Sequence, residues 1–342
     1  MDGEGICAGE YMVETKGITD DMSNNILILS CGTRDLLVRY FKRADYERVI
    51  GADCSELAPA LYEADKYYLI PRMKEEGYFD AILEICRKEG ITAILPLQED
   101  ELNLISENRE LFEQEGIRTI VSPVETLQIC RDKYCFFEYM TEHGIPVLNS
   151  YIDLTKFEKA YEAGKIGFPV FVKPVRGAGS VGVMKVSCME LLKALFAYSE
   201  ESLLIQEFCN GREFGIDVYV DLVSGEVVDI FAKEKLRMRA GETEKSVTSN
   251  DPALKEFVYR AASTLKLSGP VDMDVFEKDG IFYLSEINPR FGGGFPHAYA
   301  CGVDTPSYIL QNLQGIANES HLQEKREEIY VLKYSDILCI DR

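Results

Sequence analysis

The stretch FPVFVKPVRGAGSVGVMKVSC, residues 168–188, decides how the chain is read. Within it Gly177-Ala178-Gly179-Ser180-Val181-Gly182 spells G-x-G-x-x-G, the spacing of a dinucleotide-binding turn. Such a turn must open a helix whose N-terminus meets a pyrophosphate. Here VGVMKV (181–186) alternates and carries valine at strand positions, so the loop is predicted to join two strands. It is no Walker loop, because no G-K-[ST] follows. A glycine-rich strand–loop–strand can fold over phosphates as a flap, its N–H groups donating to oxygens. Taken alone it reads equally as an ordinary hairpin. Period-2 alternation puts Phe171 and Lys173 on one face and Val170 and Val172 on the other, and Pro174 fixes the exit.

The chain around this loop has 342 residues, enough for two or three domains. An apolar share of 46% and a charged share of 28% describe an ordinary globular protein. No run approaches a membrane span. The net charge of −21 disfavours a nucleic-acid surface, though not one nucleotide in a local basic pocket. Ten cysteines are scattered without a C-x-x-C pair, which fits reduced thiols and a cytoplasmic location. Three histidines are too few for a histidine-rich metal site.

Residues 1–24 read as a flexible extension, acidic and polar. Over 25–121 the segments NILILS, RDLLVRYFKRA, YERVIGADCSE, KYYLIP, YFDAILEICRKEG, ITAILPL, EDELNLISENRELFEQEG and IRTIVS alternate strand and helix. This βαβα order predicts a doubly wound parallel sheet, with EDELNLISENRELFEQEG as one helix. SCGTRD, after the first strand, holds one glycine where a dinucleotide fingerprint wants three, so Asp53 reads as a solvated strand-end acid. At 122 a capping box is predicted: Ser122 as N-cap, Pro123 at the first helical position, Glu125 three residues on. Residues 122–205 then supply linker helices and a first lobe of strands. Residues 206–342 supply a second lobe of mainly antiparallel strands, interrupted by the helix DPALKEFVYRAASTLKL.

VDMDVFEKDGIFYLSEINPRFGGG (271–294) reads as two strands around Lys278-Asp279-Gly280. Glu286 and Asn288 are two apart and share a face, as do Asp272 and Asp274. That loop would set Asp272 opposite Glu286 with Asp274 nearby, though sequence does not fix the register. Carboxylates crowded on a half-buried sheet raise each other's pKa unless a cation sits between them. Carboxylates plus an amide suit Mg²⁺; a solvated acidic face is the alternative. KEKLRMRAG (233–241) is the densest basic cluster and would contact a triphosphate or an acidic substrate, or stand as a solvated hairpin edge.

The order R-D-K, F-V-K-P with its glycine loop, Q-E-F-x-x-G-R-E, an acid on a strand, then E-I-N-P-R resembles the ATP-grasp superfamily over roughly residues 25–315. Within it the chain is similar to single modules of carbamoyl-phosphate synthase large subunits, of carboxylate–amine ligase type. The resemblance implies a pre-ATP-grasp α/β domain at 25–121 and a two-lobed ATP-grasp fold after it. It implies ATP bound by Lys133, Lys173 and the flap residues Gly177, Gly179, Ser180 and Val181. Gln206, Glu207, Phe208 and Cys209 would form the hinge beside adenine, and Glu213 would hold the ribose. Asp274, Glu286 and Asn288 would bind one or two Mg²⁺ ions, or Mn²⁺, while Arg290 and Lys173 serve the transferring phosphate.

The activity so implied is ATP-dependent activation of a small carboxylate as an acyl phosphate, captured by an amine. The alternatives are an ATP-binding regulator without turnover and a kinase stopping at the phosphorylated product. A full carbamoyl-phosphate synthase is disfavoured, because its large subunit resembles two such modules and this chain has one. Acceptor contacts are expected at Phe295–Tyr299 and near PLQEDE; His297 reads either as a substrate contact or as a packed side chain. Expected partners are small molecules, with no nucleic acid or membrane, and the resemblance allows a homodimer.

Overall fold

The computed structural model describes residues 24–177, 181–239, 241–326 and 328–340. The expected extension, apart from Asn24, lies outside the described residues, as do Gly179 and Ser180.

The first segment forms β1 (Asn25–Leu29), α1 (Asp35–Arg43), β2 (Arg48–Asp53), β3 (Lys66–Leu69), α2 (Tyr78–Glu89), β4 (Ile91–Pro96), α3 (Glu99–Glu107), α4 (Arg109–Glu113) and β5 (Arg118–Thr119). The strands pair in parallel in the order β3-β2-β1-β4-β5. β1 is buried along its whole length, as a central parallel strand covered on both faces must be. Two expectations change here. The helix expected over 99–116 breaks at Asn108, whose amide donates to the Leu104 carbonyl. Asp53 is not solvated: its carboxylate accepts the N–H groups of Gly32 and Ser55 and so ties the loop after β1.

Two linker helices follow, α5 (Val124–Arg131) and α6 (Lys133–Glu142). The expected capping box is absent. Pro123 occupies the N-cap position of α5, and the Ser122 hydroxyl instead accepts the Ser268 N–H at 3.0 Å, a long-range bond that replaces the local cap. α6 carries a true side-chain cap, Asp132, bonded to the N–H groups of Tyr134 and Cys135.

The first lobe contains β6 (Ser150–Tyr151), α7 (Leu154–Glu162), β7 (Val170–Pro174), β8 (Met184–Val186), α8 (Met189–Tyr198) and β9 (Leu203–Glu207), with its strands in the order β6-β9-β7-β8. The second contains β10 (Arg212–Val220), β11 (Val227–Arg239), β12 (Glu242–Ser249), α9 (Pro252–Ala262), β13 (Gly269–Lys278), β14 (Ile281–Asn288), α10 (Phe295–Ala300), α11 (Thr305–Leu313) and β15 (Tyr330–Leu332). Its sheet runs β14-β13-β10-β11-β12-β15, antiparallel throughout. As predicted, the glycine-rich loop joins two antiparallel strands, β7 and β8, and opens no helix.

One face of the parallel sheet shares a core with the second lobe: Ile26, Ile28 and Leu95 pack with Tyr219, Phe231, Phe291 and Phe295. This common core holds the loop after β1 against the segment after β14. No helix among the described residues is long and apolar enough to cross a membrane.

Candidate functional site

A cavity of about 350 Å³ opens between the two lobes and reaches the start of α3. Its lining includes Lys133, Lys173, Gly177, Val181, Gln206, Glu207, Cys209, Glu213, Asp274, Glu286, Asn288 and Arg290. Residues far apart in sequence thus converge because β7, β9, β13 and β14 present their ends or faces to one cleft. Phe208 is the exception among the described candidates. Its ring packs edge-on at 5.5 Å against Phe171, which does line the cavity, and lies beneath the Lys185 ammonium.

Strand alternation buries Val170 and Val172 and turns Lys173 toward the cleft. Lys173 donates to Gln206 Oε1 at 2.8 Å, and the Gln206 amide donates to the Ser150 hydroxyl. Burial lowers the Lys173 pKa, with Glu286 and Asp274 opposing the shift. Lys133, the first residue of α6, donates to the Gly177 carbonyl at 2.6 Å and so ties the linker to the flap.

The acidic wall depends on an irregular hairpin. Asp279 and Gly280 turn the chain with φ of 53° and 77°, as a two-residue hairpin turn requires. The register then slips between Asp274 and Val275, which makes Ser285 an extra residue on β14. Asp274 therefore stands opposite Glu286, and Asp272 opposite Asn288, rather than Asp272 opposite Glu286 as the expected loop would have it. Without the bulge Glu286 would not alternate onto the Asp274 face.

Lys235 stands out within the basic segment. The basic residues of β11 fall at 233, 235, 237 and 239, one face of a strand, and that period-2 pattern was the available signal. Lys235 donates to Asp274 Oδ1 at 2.5 Å and to Glu213 Oε1 at 2.8 Å. Lys233 is fully buried and ion-paired with Asp217, and Arg237 and Arg239 are exposed. Gly215, opposite Lys233, leaves room for both lysine stems: a Cβ there would lie 3.1 Å from Lys235 Cε.

Burial, reinforced by Glu286, Asp272 and Glu213, pushes the Asp274 carboxyl up to about 7 against the pull of Lys235. Burial also opposes charge on Glu286, but Lys173 and the Asn288 amide outweigh it and hold Glu286 below the usual carboxylate range. The Lys235 pKa is raised: burial disfavours its charge, and Asp274 and Glu213 more than offset that. Among the described residues no group of three His, Cys, Asp or Glu forms a ready metal cage. Asp274, Glu286 and the Asn288 amide are nonetheless an all-oxygen donor set, crowded enough to gain from a cation, and they fit Mg²⁺ completed by phosphate oxygens and water.

Arg290 reaches Glu99 at 3.4 Å and Asp272 at 3.5 Å, and donates to the Phe291 carbonyl. The PLQEDE segment thus contributes Glu99 to the lining, while Asp100 pairs with Arg131. The acceptor contacts expected at Phe295–Tyr299 are not gathered there. Phe295 is core, Tyr299 stacks on Tyr40 with centroids 3.7 Å apart, and neither lines the cavity. His297 is a packed side chain, 2% exposed and bonded to Ser246 and Thr248, with burial bringing its pKa down to about 4.

Two family descriptions match the chain: "PylC-like, N-terminal domain" over residues 26–120, and "ATP-grasp in the biosynthetic pathway with Ter operon" over residues 199–337. The chain is 28% identical to the carbamoyl phosphate synthase arginine-specific large chain of Bacillus subtilis over 195 residues, 53% of this chain and 18% of that one. It is 29% identical to D-alanine–D-alanine ligase of Geobacillus thermodenitrificans over 211 residues, 54% of this chain and 58% of that one. The chain thus spans less than two thirds of each of these relatives. In fold it is similar to N5-carboxyaminoimidazole synthetase of Staphylococcus aureus, solved with ADP, at a TM-score of 0.70 and 17% identity over 87% of this chain and 79% of that one. It is likewise similar to biotin carboxylase of Campylobacter jejuni at 0.70 and 20% identity over 90% and 74%.

Proposed function

The chain is a member of the ATP-grasp superfamily, and on that footing we propose that it is an ATP-dependent carboxylate–amine ligase. One observation carries the reading: the Asp274, Glu286 and Asn288 donors and the Lys133, Lys173 and Arg290 cations line one cleft beneath a glycine-rich flap. A carboxylate oxygen attacks the γ-phosphorus, the bond to the bridging oxygen breaks, and ADP leaves. An amine nitrogen then attacks the acyl carbon, phosphate departs, and the amine proton is lost. Lys173, Lys133, Lys235 and Arg290 neutralise charge that builds on the transferring group, and the flap excludes water. Gln206, Glu207 and Cys209 are assigned to the adenine edge and Glu213 to the ribose, with Lys235 fixing the Glu213 carboxylate. Mg²⁺ or Mn²⁺, one ion or two, held by Asp274, Glu286 and Asn288, would supply further charge neutralisation at the β- and γ-phosphates. No side-chain nucleophile is needed, because the work is positioning and electrostatics.

The small-molecule substrates, a cytoplasmic location and the pairing of two copies belong to the same reading. ADP release across a panel of acids and amines tests it, with hydroxylamine as a trap. Turnover that needs both an acid and an amine, with hydroxamate formed in the trap, is expected. Mg-ATP binding without turnover points to a regulator, and a stable phosphorylated product without hydroxamate points to a kinase; either overturns the ligase.

A further inference from the structure

The glycine stretch after β14 lies against two guanidinium groups from opposite ends of the chain. Arg290 lies two residues before Gly292. Arg34 leaves the loop after β1 and is held there by the core shared between the parallel sheet and the second lobe. A Cβ on Gly293 would stand 2.9 Å from Arg34 Nη1 and 3.0 Å from Glu242 Oε1. A Cβ on the adjacent Gly292 would stand 2.2 Å from Asp272 Oδ1, and Asp272 is the partner of Arg290 at 3.5 Å. Two arginines are thus brought to one short stretch of backbone that has no side chains of its own. They are close enough that the Arg290 charge adds to burial in lowering the Arg34 pKa.

Neither guanidinium is tightly paired. Arg34 meets Glu242 at 3.3 Å, and Arg290 meets Glu99 at 3.4 Å and Asp272 at 3.5 Å. Charge-assisted pairs settle near 2.7–2.9 Å, and elsewhere in this chain Arg131 reaches Asp100 at 2.6 Å. Glu242 does not depend on Arg34, because Lys333 holds its other oxygen at 2.9 Å. Glu242, Glu99 and Asp272 balance the two like charges at 3.3–3.5 Å rather than in close bidentate pairs, which leaves the guanidinium forks open to a better-placed anion. Arg34 keeps 31% of its side chain exposed, and the residue before Glu242, Gly241, lines the cavity. The planar fork of arginine suits a carboxylate or phosphate arriving at that edge.

We propose that Arg34 binds a second anionic group of the acid substrate, whose reacting carboxylate lies at Arg290, so that the substrate class is a dicarboxylate or a phosphorylated acid. This rests on the ligase reading above. Arg34 is thereby a specificity residue supplied by the N-terminal domain.

The test is ADP release with hydroxylamine as the amine, comparing succinate, glutarate, aspartate and 3-phosphoglycerate with butyrate and alanine. Acids with a second anionic group are expected to show a KM at least about tenfold lower than the others, the two-carboxylate and phosphate arms telling which anion is preferred. Arg34→Ala raises that KM about tenfold or more while the KM for ATP does not follow, and Arg34→Lys gives an intermediate value. Glu242→Gln breaks the same ion pair but frees Arg34, so it lowers the acid KM or leaves it in place. A merely structural tie would make Arg34→Ala and Glu242→Gln raise KM alike, which overturns the proposal, as does equal or better use of the monocarboxylates. No ADP release with any acid overturns the ligase reading and this inference with it.

Discussion

Asp274 stands directly across the β13–β14 ladder from Glu286, and the two carboxylates respond in opposite directions to the same burial. Glu286 lies in the field of Lys173 and stays ionised. Asp274, crowded by three other acids, is pushed up to about 7 despite Lys235. A divalent cation held by the pair would relieve that crowding.

Replacing Glu286 with Gln keeps the shape and removes one charge from the proposed metal wall. Mg-dependent ATP turnover is expected to fall on the order of 10²-fold or more, with a higher Mg²⁺ concentration needed for half-maximal rate. A magnesium titration of the initial rate checks this. An unchanged half-saturation point would remove Glu286 from the metal set.

Lys173→Met removes a buried ammonium whose neutral partner, Gln206, is left bonded to Ser150. The expected loss of transition-state stabilisation is roughly 2–4 kcal/mol, the scale of one lost oxyanion donor. Steady-state ADP release with acid and amine present measures it. Near-normal turnover in a folded variant would take Lys173 out of the catalytic assignment.

How far the sequence could be read depends on the range of the interactions. The flap was legible as a hairpin because the alternation in VGVMKV is a local property, and the helix in DPALKEFVYRAASTLKL was legible too, though it ends at Ala262, short of the segment's end. The facing of Asp274 and Glu286 was not, because nothing in LSEIN announces that Ser285 bulges. The Ser122 cap failed for a related reason: its local signature was sound, but Ser268, 146 residues away, competes for the hydroxyl. Period-2 spacing singles out the basic face that carries Lys235 but not its partners Asp274 and Glu213, and Arg34 meets Glu242 across domains, which local spacing does not report.

Glu101 tests the electrostatics away from the cleft. It is 0% exposed on α3, accepts from Tyr78 and Ser30, and burial brings its pKa up from 4.5 to about 7. The folded state therefore holds a proton between about pH 4.5 and 7 that the unfolded chain has released, and stability falls as pH rises through that window. The swing is on the order of 3 kcal/mol. Glu101→Gln should flatten this part of the dependence, read as melting temperature against pH. A variant with the same slope as the parent would show that Glu101 is ionised when folded.

The bulge itself gives the sharpest geometric test. Deleting Ser285 removes only the unpaired residue: Leu284 stays opposite Val275, and Glu286, now its neighbour, alternates onto the Asp274 face in a regular ladder. Asn288 likewise stays opposite Asp272. Turnover and its Mg²⁺ dependence are therefore expected to survive the deletion, with circular dichroism and a cooperative melt reporting a folded chain. Ser285→Ala keeps the extra residue and only removes a hydroxyl, so it should retain the magnesium response of the parent. If the deletion alone shifts the magnesium half-saturation point, the acidic wall depends on the local bend of the bulge and not only on which residues face each other.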